Sequence, residues 1–81
     1  MNVYTTQFGA KCPNNGKMIW YTLRIERIPR HVLMVEDILE ATMGLGAGYH
    51  EALADSLHAA LGGRQTLTAE HHGVTIETVR A

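Results

Sequence analysis

The chain has 81 residues, 46% of them hydrophobic and 19% charged, with a formal net charge of −1. This composition excludes a disordered chain, the length excludes a second domain, and the charge excludes the global basic excess of a nonspecific nucleic-acid binder. A single cysteine, Cys12, leaves no internal disulfide, which predicts a reducing, cytoplasmic setting, and the longest aliphatic run, Val32 to Val35, is too short for a membrane span or a signal-peptide core.

In chain order, residues Val3 to Ala10 alternate Tyr4, Thr6, Phe8 and Ala10 against Val3, Thr5, Gln7 and Gly9, the period of a strand. Met18 to Arg27 alternate more clearly, with Ile19, Tyr21, Leu23 and Ile25 on one side. Asn15-Gly16 between them is a strong hairpin signal. A two-residue loop there predicts Ala10 opposite Tyr21, Phe8 opposite Leu23, Thr6 opposite Ile25 and Tyr4 opposite Arg27. The other face is then polar except for Trp20.

Pro29 ends the second strand because it lacks the ladder donor. Val32 to Met43 carry Val32, Val35, Ile38, Leu39 and Thr42 or Met43 at helical spacing, with Glu36 and Asp37 suited to a first turn, so a helix is expected, beginning as late as Val35. The glycine-rich stretch Gly44 to Gly48 joins it to the most strongly patterned helix, Gly48 to Gly63. There Tyr49, Leu53, Leu57, Ala60 and Leu61 form the apolar face, and His50, Glu51, Asp55 and His58 fall largely on the remaining arc. Arg64 to His71 and Val74 to Arg80 read as a second hairpin around His72-Gly73. A two-residue loop sets His71 against Val74, Ala69 against Ile76 and Leu67 against Thr78.

The expected fold is therefore α+β in the order ββααββ, a four-stranded antiparallel sheet with two helices packed on one face, forming a single small domain. The predicted core is Phe8, Ile19, Tyr21, Leu23, Ile25, Val35, Leu39, Leu53, Leu57, Leu61, Leu67 and Ile76. Strand order is left open by the pattern.

Trp20 is the largest apolar group assigned to the outer face, with Met18, Lys11 and Arg24 beside it, and tryptophan and arginine are enriched at binding hot spots. The same tryptophan would also serve simply to cover Gly9. With no catalytic constellation in view, the residues lead to a non-enzymatic protein-binding module, an adaptor or inhibitor of the kind phages and mobile elements use against host defences. It would act through Trp20, Met18, Lys11 and Arg24, with homodimerisation expected from the small size.

The alternative is a metal or small-ligand site. Glu51, Asp55 and His58 share a helix face, and His71 and His72 approach from the last hairpin, but no established metal-binding spacing is present. Single-stranded nucleic-acid binding by Trp20, Lys11 and Arg24 is disfavoured by the neutral charge, although clustering of Arg24, Arg27, Arg30 and Arg64 would favour it. Cys12 has the chemistry of a nucleophile, but nothing in the sequence brings a histidine beside it. No cofactor is expected.

Overall fold

The computed structural model describes Met1 to Ala81. Its elements are β1 (Asn2–Lys11), β2 (Met18–Arg27), α1 (Val35–Met43), α2 (His50–Leu61), β3 (Arg64–His71) and β4 (Val74–Arg80). The strands form one antiparallel sheet in the spatial order β1-β2-β3-β4, so neighbours in sequence are neighbours in space. The fold is the expected α+β arrangement. No helix is long and apolar enough to cross a membrane.

The inner face of the sheet takes the alternate residues Phe8, Ala10, Tyr21, Leu23, Ile25, Leu67 and Ala69, which pack against Leu53, Ala54, Leu57 and Leu61 of α2. Tyr21, Leu23, Ile25, Leu57 and Leu67 are fully buried, and each large side chain removed from water in this way contributes about 1.5–3 kcal/mol. The C-terminus of α2 is closed by two side chains from the sheet. Gln65 Nε2 donates to the carbonyls of Leu57 at 3.0 Å and Gly62 at 2.8 Å, and Arg27 Nη1 donates to Leu61 O at 3.0 Å. These donors satisfy carbonyls that a helix end leaves without an internal partner.

The second hairpin has the expected register, His71 against Val74, Ala69 against Ile76 and Leu67 against Thr78. His72 and Gly73 both adopt positive φ, 52° and 85°, as the tight hairpin turn requires. The first hairpin departs from its expected register by two residues. Phe8 faces Tyr21, Thr6 faces Leu23 and Tyr4 faces Ile25. Of Asn15 and Gly16 only the glycine has positive φ, at 72°, so the two cannot form the tight turn. The chain instead makes a wider loop, closed by Gly16 N to Cys12 O at 2.8 Å and Cys12 N to Lys17 O at 2.9 Å. A slip of two leaves every side chain on its predicted face, because the strand period is two.

The buried stripe of α1 is narrower than the expected one, and two residues predicted for the core lie outside it. Ile38 and Thr42 are buried, whereas Val35 and Leu39 are 58% and 45% exposed. Thr42 tolerates burial because its hydroxyl donates to Ile38 O at 2.9 Å. Ile76 is likewise partly exposed, since β4 is an edge strand and only its Thr78 is buried.

Candidate active site

The loop slip in the first hairpin has a tertiary counterpart. Beyond its pairing with β2, Lys11 makes a parallel bridge with the inter-helix segment: its N–H donates to Gly46 O at 2.9 Å, and Gly48 N–H donates to Lys11 O at 3.1 Å. This clamp fixes the entry to α2 against the end of β1, one residue before the half-buried Cys12. It delivers His50, the first residue of α2, into the inner face of the sheet.

There the His50 ring lies 5.4 Å from that of Tyr21 and 5.6 Å from that of His71, and Tyr21 stacks on Phe8 at 5.2 Å. His50 Nε2 is 3.0 Å from Leu67 O and must carry a hydrogen to bond it. Burial lowers the pKa of His50, an effect that outweighs the opposing bond to Leu67, so the ring is held neutral. Its Nδ1 is then an acceptor, 3.4 Å from His71 Nε2, which makes His71 the donor and leaves the second nitrogen of His71 free.

The Tyr21 hydroxyl is shielded from solvent and has no hydrogen-bond partner. Its pKa is raised, first by burial and then by an electrostatic contribution from Cys12. The corner around Tyr21 thus holds an unpartnered phenol and two linked imidazoles, and Cys12 follows the clamped Lys11 at the end of β1. An orphaned buried hydroxyl is uncommon in a folded protein and marks a place where an incoming group would find a hydrogen-bond donor.

The residues singled out in the sequence are disposed differently. Trp20 is 69% exposed, as expected, and stands directly opposite Gly9. A β-carbon at Gly9 would lie 2.7 Å from Met18 Sδ and 3.2 Å from Trp20 Cζ3, so both side chains lie over the glycine and cover its backbone. Lys11 pairs across the ladder with Met18, while the Arg24 guanidinium is held 2.8 Å from Glu26. The residues of the metal alternative do not converge on one point. Asp55 bonds Arg80 at 2.8 Å, His71 is engaged with His50, His72 occupies the hairpin turn, and Glu51 and His58 sit at opposite ends of α2. No three histidine, cysteine or acidic side chains come close enough to hold one ion.

His50 is the functional candidate that the sequence pattern misses, since that pattern puts His50 on the polar arc of the helix and Tyr49 on its apolar face. The structure reverses the two, with Tyr49 61% exposed and His50 buried. The signal was present in the spacing: His50 continues the stripe of Leu53, Leu57 and Leu61 by one turn. Histidine's polarity masked it.

No protein-family model matches the chain, and no curated protein matches its sequence. Among solved structures, the crystal structure of the archaeosine synthase QueF-Like in the apo form superposes with a TM-score of 0.80 at 26% identity. The match covers 98% of this chain and 89% of that one. The expectation of a protein-binding adaptor or inhibitor, with its metal-binding alternative, is therefore corrected. The near full-length neighbour is named for a synthase, and the tryptophan that motivated the expectation lies over a glycine of its own sheet.

Proposed function

We propose that this chain is an enzyme of nucleoside modification acting on RNA, with the corner formed by Cys12, Tyr21, His50 and His71 as the place where a base is met. The observation that carries the reading is the end-to-end likeness to a structure named as an archaeosine synthase. The chemistry of the corner supports it. A thiol is the most nucleophilic side chain available near neutral pH, the Tyr21 hydroxyl has no internal partner to give up before donating, and burial keeps the His50 imidazole neutral while its bond to Leu67 fixes the tautomer. A purine or pyrimidine edge offers ring nitrogens and exocyclic groups that such donors and acceptors can bind. We place the protein in the cytoplasm, where its single thiol stays reduced.

The test is the nucleoside composition of tRNA from host cells with the gene deleted, then complemented with the wild type or with Cys12→Ser. One modified nucleoside is expected to disappear on deletion, and to return with the wild type but not with the serine variant. Identical profiles in all three strains would overturn the reading.

A further inference from the structure

At the far end of β2 from Cys12 a cavity of about 370 Å3 opens between the strand end and the start of β3, with Arg27, Arg64, His31 and Gly63 in its wall and Glu26 as its one carboxylate. That carboxylate is shared, with Arg24 Nη1 at 2.8 Å and Arg64 Nε at 3.5 Å from the same oxygen. Arg27 has no acidic partner. One of its donors reaches Leu61 O, and its Nε is shielded from water with no partner at all. The cavity wall therefore carries more positive charge than its one acid can neutralise.

The backbone is shaped around this guanidinium. A β-carbon at Gly62 would stand 2.7 Å from Arg27 Nη1, and one at Gly63 would stand 2.7 Å from Arg27 Cδ, so the two glycines leave the space that the arginine occupies. The turn Ile28-Pro29-Arg30-His31, closed by His31 N to Ile28 O at 3.1 Å, brings Ile28 and His31 to the cavity wall. Its third residue, Arg30, has φ of 73°, a conformation ordinarily left to glycine or asparagine. The turn that carries His31 to the wall is thus held in a strained backbone conformation.

We propose that this cavity is a phosphate-binding site, with the forks of Arg27 and Arg64 and the His31 ring as its ligands. Guanidinium forks match the oxygen geometry of a phosphate, and a desolvated, unpartnered N–H is the kind of donor such an anion completes. Six residues of strand separate Arg27 from Tyr21, about 20 Å at ~3.3 Å per residue. A single nucleoside at the Cys12 corner does not span that distance, whereas a polynucleotide does. The phosphate is accordingly a backbone phosphate of the RNA; the inference rests on the proposed function for this source alone.

Two titrations test it. Inorganic phosphate is added to isotope-labelled protein while the Gly63 amide and the Arg27 Nε–H are followed by NMR; both signals are expected to shift saturably. A fluorescein-labelled 12-nucleotide RNA is then titrated at several salt concentrations with the wild type, Arg64→Gln and His31→Gln. Arg64→Gln is expected to weaken binding about tenfold and to reduce the salt slope by ~0.7, the loss of one phosphate contact on a single strand. Phosphate shifts without RNA retention would uphold the site, assign it to a free phosphate-bearing ligand and overturn the RNA reading. RNA binding that both variants leave unchanged, with no phosphate shifts, would overturn the site and leave the RNA reading standing.

Discussion

The two hairpins are built from similar alternating patterns and both carry a glycine-containing turn signal, yet only one forms the turn that its signal names. The second closes through His72 and Gly73, both at positive φ, with open space around Gly73. The first gives up the tight Asn15-Gly16 turn for a wider loop, and the residue at the base of that loop is Cys12. The difference lies outside the hairpin. Lys11 is clamped between Gly46 and Gly48, so the end of β1 belongs to two pairings at once. A turn follows local preference where nothing else competes and yields where a tertiary ladder takes over the strand end. The yielding turn is the one at the candidate active site, in keeping with the tendency of functional sites to break local rules.

The largest effect is expected where the second hairpin is joined to the rest of the fold. A β-carbon at Gly63, which has φ of 74°, would lie 2.7 Å from the Glu26 carbonyl oxygen, and backbone cannot move aside as a side chain can. Gly63→Ala should cost about 3 kcal/mol from strain and overpacking, and lower Tm by roughly 12–24 °C in a thermal melt. Gly73→Ala, at φ of 85° in open space, carries only the conformational term, about 1 kcal/mol, or ~4–8 °C.

Tyr21→Phe separates stability from function at the first hairpin's corner. It removes a hydroxyl that has no partner, so Tm should stay level or rise by the equivalent of up to about 1 kcal/mol, while the modified nucleoside should be lost. A clear fall in Tm would mean that the hydroxyl has a structural partner in solution.

The pH dependence is a smaller effect. His50 has a folded pKa below its ordinary 6.5, so the unfolded chain binds the extra proton first. Stability is therefore full above about pH 6.5 and declines as the pH falls from there towards the folded value. His50→Gln should flatten that slope in melts taken between pH 7 and 5. The smallest change is Asn15→Ala, which deletes the bond from Lys17 N to Asn15 Oδ1 at 2.9 Å on an exposed loop and should cost no more than about 0.5 kcal/mol. A large loss there would show that Asn15 governs the first loop after all.

The candidate site was only partly legible in the residues. Cys12 is visible in the sequence as a lone thiol, whereas the placement of His50 beside Tyr21 follows from pairing between Lys11 and a segment more than 30 residues away. Trp20 was visible as an exposed aromatic, but its position over Gly9 depends on the register, which the two-residue slip changed from the predicted pairing of Gly9 with Thr22. The arginines of the phosphate cavity were recognised as a set, and it took the closure of β2 on β3 and the turn at Pro29 to bring Arg27, Arg64 and His31 into one wall.

By itself the sequence determined the order of elements, the face to which each strand residue points and the register of the second hairpin. All of these follow from periods of 2 and 3.6 and from local turn geometry, which are properties of neighbouring residues. Only the tertiary structure decided the strand order, the width of the first loop, which stripe of α1 is buried, and the burial of His50 beside Tyr21. Those outcomes depend on which distant backbone groups pair and how closely the helices approach the sheet, and no local window contains the competing partners.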